Sequence, residues 1–358
     1  MRVWIEAKRN DWNETMKRLL NTLFVTTQGT YLARDGETVL VRNDAETKAQ
    51  YPIHVLSSIV CFGQVSCSPP LMGLCGERGV TLAFFSEHGR FFGRVEGPIS
   101  GNVLLRRAQY RRADDEAASA EIARAVVTAK IANCRVALLR AARERPDESE
   151  SDALRAASHA LATHLEALRE PVPLERVRGI EGDAAHVYFS AFDHMILAQR
   201  EAFAFRGRSR RPPLDPINAL LSFYYALLTN DMVSALSGVG LDPAVGFLHR
   251  DRPGRPGLAL DLMEELRPFI ADRLALTLVN RQQVRAKGFR KTESGAVMMD
   301  DDTRKEVLVA YQKRKQEEIE HPFLGEKIAV GLIPHVQAML LARHLRGELD
   351  GYPPFLWK

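Results

Sequence analysis

Cysteine is scarce: the 358 residues contain four, Cys61, Cys67, Cys75 and Cys134. None forms a C-x-x-C pair, which argues against a zinc ribbon or a thioredoxin-type redox motif, and their apolar neighbours mark them as small core residues. Long hydrophobic runs are lacking as well. No stretch approaches the roughly eighteen consecutive apolar residues of a membrane-spanning helix. The opening MRVWIEAKRNDWNE has no apolar centre of the signal-peptide kind. No membrane association is expected, and a reducing cytoplasm is the expected setting. Neither sign of charge dominates, since 49 basic and 45 acidic residues leave a net +4. That permits a nucleic-acid partner without arguing for one, so clustering of charge has to decide. There is no internal repeat or low-complexity segment. With 46% hydrophobic and 26% charged residues the composition is that of an ordinary globular protein. The length suggests one large or two ordinary domains.

Read in order, residues 1–15 are polar and aperiodic, an N-terminal extension without assigned function. Residues 16–98 read as a small β-rich domain. Leu23 to Thr27 is a short strand run, and Tyr31 to Ala33 and Thr38 to Arg42 flank an Asp35-Gly36 turn, a strong hairpin signal. Val55 to Phe62 and Val80 to Phe85 suit buried strands. Between them Pro69 to Arg78 reads as a helix closed by Gly79. A final strand, Phe91 to Glu96, follows a His88-Gly89 turn, and His54 and His88 read as structural or turn residues. After a break at Pro98–Gly101, residues 99–358 read as a larger, all-α domain. The chain class is therefore α+β. Ala113 to Arg145 is one long expected helix reaching back towards Leu104, stopped by Pro146; Ser149 to Arg169 is the next. Arg178 to Phe205 follows as a helix with Glu181 at its start, where exposed N–H groups favour a carboxylate. Four arginines, Arg206, Arg208, Arg210 and Arg211, lie in FRGRSRRPP. They make either a solvated loop or a phosphate-contacting one. Asp215 then caps a buried helix with Pro216 at its first position. Asn218, in the first turn, is either a cap-type residue or a partner supporting metal ligands. A second basic cluster, Arg281 to Lys291, includes Arg285, Lys287 and Arg290. It can track a DNA backbone or be a plain solvated run. Asp300 to Asp302 read as helix-capping acids. The tail GYPPFLWK is too short and Pro-rich to be core by itself, and an apolar tail of this kind can dock on another subunit.

The segment with most chemistry is GFLHRDRPGRPGLALDLMEELRPFIAD, residues 246–272. His249 follows an apolar lead-in. A Pro- and Gly-rich loop containing Arg250 then leads into a helix whose Asp261, Glu264 and Glu265 share one stripe by spacing. Leu258, Leu262, Leu266 and Ile270 form a core-facing stripe, and Pro268 predicts a kink near Glu264. The acids are either a solvated helix face or, with the histidine, a hard-metal site. Carboxylates suit Mg²⁺ or Mn²⁺, and an imidazole tilts the preference towards Mn²⁺.

Four blocks resemble the CRISPR-associated integrase family, the metal-dependent DNA endonucleases of spacer acquisition. His249 followed by D-x-x-E at Asp261 and Glu264 resembles the family's catalytic signature. RGIEGDAAHVYFSAF around Glu181, RRPPLDPINALLSF at residues 210–223 and LNTLFVTTQGTYLARDGETVLV are similar to its other blocks, in the same order. The resemblance covers roughly residues 16–345 and is like the type I-C branch. It implies a catalytic helical domain behind a β-rich one that mediates homodimer and partner contacts. It implies Glu181, His249 and Glu264 as ligands of Mg²⁺ or Mn²⁺, with Asp261 catalytic beside them. The implied reaction is phosphoryl transfer in which a 3′-hydroxyl of a captured DNA fragment attacks the edge of a CRISPR repeat. With water in its place the same site would cut DNA. The implied partners are double-stranded DNA (protospacer and repeat), a second copy of the chain, and a small ferredoxin-like CRISPR-associated protein. Whether a trimming exonuclease assists stays open. Two other functions stand against this one: a general metal-dependent repair nuclease for branched DNA, and a DNA-binding scaffold without chemistry.

Overall fold

In the computed structural model, residues 22–43, 46–56, 58–86, 91–95, 97, 103–145 and 147–357 are described. The expected N-terminal extension, the His88-Gly89 turn, the Pro98–Gly101 break and the Pro146 stop lie outside them. The described residues are α+β: a β-rich N-terminal region precedes a helical one. They divide into two compact units.

The first unit runs to Gly97 and also takes in Lys315–Glu318 and Ala329–Leu332. Its strands are β1 (Thr22–Val25), β2 (Tyr31–Asp35), β3 (Thr38–Asn43), β4 (Glu46–Pro52), β5 (Ser58–Phe62), β6 (Ser66–Cys67), β7 (Thr81–Phe85) and β8 (Phe91–Val95). One sheet has the order β1-β5-β7-β8, parallel except for the last pair; the other has the order β4-β3-β2-β6. The β2–β3 hairpin turns at Asp35-Gly36, and Gly36 takes the positive φ of 57° that a Cβ would penalise. All five residues of β5 are buried, as befits a central strand covered on both faces. Helix α1 (Pro69–Glu77) is capped by Ser68 Oγ, which accepts from Leu71 N–H. Its Leu71, Leu74 and Cys75 join Leu32, Val39, Ile59, Cys61 and Leu82 in one core. Strand β4 was not foreseen because ETKAQYP is polar and exposed along most of its length, as an edge strand tolerates.

The second unit holds α2 (Val103–Asp114), α3 (Glu116–Glu144), α4 (Glu148–Glu166), α5 (Leu174–Ser190), α6 (Pro216–Val239), α7 (Gly257–Glu264), α8 (Arg273–Asn280), α9 (Asp301–Gln316) and α10 (Ile333–Leu345). Several sequence expectations change here. The single helix expected to end at Arg145 is two, because Asp115 leaves the helical conformation and accepts from the N–H groups of Ala117 and Ala118. The expected helix from Arg178 to Phe205 begins earlier, at Leu174, and ends at Ser190. Glu181 therefore lies about two turns inside it, where the helix dipole does not account for a carboxylate. The expected kink at Pro268 is a full interruption. Pro268 has no N–H to offer the Glu264 carbonyl, so α7 stops at Glu264 and a π-helical turn, Arg267–Asp272, leads into α8.

"All-α" overstates this region. Strands β9 (Phe289–Lys291) and β10 (Val297–Met299) pair antiparallel, and β11 (Glu318–Glu320) pairs with β12 (Lys327–Ala329). The second basic cluster is thus partly a β-ribbon, its turn carried by Gly295 with φ of 82°. The C-terminal tail folds back on its own chain: Tyr352 and Phe355 are buried, so these two side chains are core after all. No helix among the described residues is long and apolar enough to cross a membrane.

Candidate active site

Asp261 organises the histidine. It is buried on α7, and its Oδ2 accepts from the N–H groups of Phe247 (2.6 Å) and Leu248 (2.9 Å). Its Oδ1 accepts from His249 N–H at 2.9 Å and faces His249 Nδ1 at 2.7 Å. A carboxylate oxygen accepts, so Nδ1 is the donor of this contact and Nε2 is left on the other side of the ring. The loop must come very close for this. A Cβ on Gly246 would stand 2.7 Å from Asp261 Oδ2, and one on Gly257 2.6 Å from the Ala244 carbonyl oxygen. Glycine at both positions is therefore a steric requirement of the loop-to-helix turn.

Glu264, one turn on, points to a different centre. Its side chain is 3% exposed. It pairs with Arg267 through Oε1, while Oε2 lies 2.6 Å from Lys130 Nζ. That ammonium also pairs with Glu181 from α5. Two carboxylates remote in sequence thus converge on one buried cation. The Lys130 contact to Glu264 Oε2 is a short, charge-assisted ion pair in a buried place. Burial alone would push the Glu264 carboxyl up, but Arg267, Lys130 and His249 outweigh it and hold the group down at about 2. The same two carboxylates hold the Lys130 ammonium above its ordinary value, against the opposing effect of burial.

Behind this pair stands an aromatic and acidic wall. Arg267 and Arg208 both lie over the Tyr225 ring, at 4.8 and 5.2 Å from its centroid. Asp272 accepts from Tyr188 and Tyr225 hydroxyls at 3.1 and 2.7 Å. Burial raises the Asp272 carboxyl to about 6 despite those donors.

The expected acidic stripe therefore divides. Asp261 serves the His249 loop and Glu264 the Lys130 centre. Glu265 turns away to the C-terminal tail, accepting from Tyr352 Oη (2.6 Å), Phe355 N (2.8 Å) and Gln337 Nε2 (3.1 Å). None of the Asn218 side-chain hydrogen bonds goes to Glu181, His249 or Glu264. The Asn218 side chain accepts from Arg208 Nη1 and Ser209 N and donates to the Gly207 carbonyl and Asp215, so it fastens the arginine loop to the start of α6. Arg208 accordingly faces inward, bonding Asn218 and Ser222. Arg206, Arg210 and Arg211 are exposed, as are Arg285, Lys287 and Arg290. Arg250 is exposed and pairs with Glu175 at 2.8 Å.

Lys130 and Arg267 were not foreseen. A signal for Lys130 existed: it interrupts an apolar face of α3 formed by Val126, Val127 and Cys134, all buried. Only tertiary structure supplies the carboxylates that justify it.

Among the described residues no three His, Cys, Asp or Glu side chains stand together in a metal-holding group. Glu181 and Glu264 nonetheless share one ammonium, and paired carboxylate oxygens are donors of the kind a hard cation takes.

Residues 23–313 match the family described as CRISPR associated protein Cas1. The chain belongs to the Cas1 family. A curated relative, CRISPR-associated endonuclease Cas1 1 of Chlorobaculum tepidum, is 58% identical over 343 residues, 96% of this chain and 100% of that protein. Among solved structures, a CAS1 protein from Thermotoga maritima superposes with a TM-score of 0.79 at 23% identity, covering 94% of this chain and 100% of that one. A casposase bound to its integration product has the same score at 20% identity, with 94% of each chain covered. At those identities the two structures establish the Cas1 fold.

Proposed function

We propose that this chain is a metal-dependent DNA endonuclease and integrase of CRISPR adaptation, which joins 3′-hydroxyl ends of captured fragments into the CRISPR repeat by phosphoryl transfer. The observation that carries the reading is the convergence of Glu181 and Glu264 on one buried cation; the His249 Nδ1 is separately committed to Asp261, one turn before Glu264 on the same helix. Membership of the Cas1 family, with a full-length relative named as an endonuclease, supports it.

Glu181, Glu264 and His249 Nε2 would hold Mg²⁺ or Mn²⁺, which when bound supplies activation of the attacking hydroxyl and neutralisation of charge on the phosphate. Asp261 fixes the histidine tautomer and ring plane, the usual work of a carboxylate behind a metal-ligating imidazole. Arg267 balances the charge of Glu264 and is itself steadied on Tyr225. The exposed Arg206, Arg210, Arg211, Arg285, Lys287 and Arg290 suit phosphate contacts to double-stranded DNA; Arg250 shares its charge with Glu175. Arg208 is better read as the bolt of the loop. The functional partners we infer are a second copy of the chain and a small ferredoxin-like CRISPR-associated protein, with the place in the type I-C branch that the sequence resemblance implies. A trimming exonuclease is compatible with this scheme.

The test is plasmid integration with the wild type and with Glu181→Ala, His249→Ala and Glu264→Ala, with and without Mn²⁺, in the presence of the small partner. Joined products from the wild type alone, only with metal, are expected, with DNA binding retained by the variants. Cleavage without joining would favour the branched-DNA nuclease. Binding without either product would leave the scaffold, and normal integration by all three variants would remove the site assignment.

A further inference from the structure

Lys130 has no role in the reaction as so far described, yet it is at its centre. The residue is 7% exposed on a helix face of valines and cysteine, and burying an ammonium there is costly without partners. Both its partners are carboxylates assigned above to the metal. We propose that Lys130 is an internal stand-in for the metal: its ammonium group keeps the Glu181 and Glu264 carboxylates together and is displaced when a divalent cation binds. The proposal rests on the metal-site reading given above.

Charge balance favours the exchange. The Glu181 and Glu264 carboxylates are matched by Lys130 and Arg267. Adding a dication to that matched cluster, in a buried place of low polarisability, would leave two uncompensated positive charges. If one monovalent cation leaves, a single positive charge remains, which favours a phosphate diester. Of the two candidates Lys130 is the one free to go. Arg267 is stacked on Tyr225, whereas Lys130 hangs on a flexible four-carbon stem.

Calorimetric titration of the metal-free full-length protein with MnCl₂ tests this. If the ammonium holds the site about nine-tenths of the time, its removal tightens apparent binding by about tenfold. Lys130→Met is therefore expected to bind Mn²⁺ at least about tenfold more tightly than the wild type. Equal or weaker binding overturns the proposal. Glu181→Gln separates the two readings: if it binds Mn²⁺ as the wild type does, the metal site itself is wrong and this proposal falls with it. If Glu181→Gln loses binding while Lys130→Met is unchanged, only the exchange is wrong. Should Lys130→Met fail to fold, acetic anhydride labelling of the wild type decides, read by peptide mass spectrometry. Lys130 is expected to be protected without metal and acetylated at saturating Mn²⁺; protection in both states overturns displacement.

Discussion

Asp272 shows how a single buried acid makes stability depend on pH. It lies between two tyrosine hydroxyls and is raised by burial to about 6, from an ordinary value near 3.8. Between those values the native protein holds a proton that the unfolded chain has released. Stability therefore falls as pH rises from about 4 to about 6 and is level above, by linkage. In Asp272→Asn that slope should vanish. Relative to the variant, the wild type should lose on the order of 3 kcal/mol over the interval, measured by urea denaturation at stepped pH. Parallel curves for the two proteins would show that Asp272 is ionised throughout. Nothing in ADRLALTLVN marked Asp272 as special, because Tyr188 and Tyr225 come from other helices.

Among the elements, α7 and the π-helical turn after it form the frame of the site, and the C-terminal tail holds that frame. Asn133 on α3 donates to the carbonyls of Glu265 (2.7 Å) and Phe355 (2.9 Å) and accepts from Trp357 N (2.8 Å). Arg140 and Arg273 flank the Trp357 ring, at 4.2 and 5.1 Å from its centroid. Phe355 is 1% exposed and packs on Phe269 in the π-helical turn. Phe355→Ala should cost about 3–5 kcal/mol, the usual range for a buried phenylalanine, and should lower integration, since it loosens the segment between Glu264 and Asp272. Calorimetric unfolding checks the first, and an unshifted Tm would mean the tail is only an appendage. The Pro268 break, the Asp215 cap with Pro216 and the Asp35-Gly36 hairpin were legible in sequence, each being a local rule about a missing N–H, a cap or a turn. The division at Asp115 and the start of α5 were not. In an Ala-rich stretch, helical propensity is nearly level and one capping side chain decides.

At the scale of the whole molecule, a net charge of +4 says little, and which arginines face solvent says more. Replacing Arg206, Arg210 and Arg211 together by Ala should reduce the salt dependence of DNA binding. If all three contact phosphates, the slope of log K against log salt falls by about 0.9 for each, without loss of stability. Arg208→Ala should do the reverse, destabilising the loop anchored on Asn218 while leaving the slope largely unchanged. Fluorescence anisotropy titrations across salt, with Tm measured in parallel, distinguish the two. A full slope change from Arg208→Ala would mean that it turns outward to DNA.

The sequence by itself determined the chemical vocabulary of this protein: the α+β order, the His249–Asp261–Glu264 spacing, the Glu181 block and the family they resemble. Period, caps and turn residues act over a few positions, so a one-dimensional reading can see them. Only the tertiary structure decided that Asp261 binds the histidine loop, that Glu265 serves the tail, and that Lys130 stands between Glu181 and Glu264. Those assignments depend on burial, which makes an ammonium among apolar side chains require carboxylates more than fifty residues away in the chain.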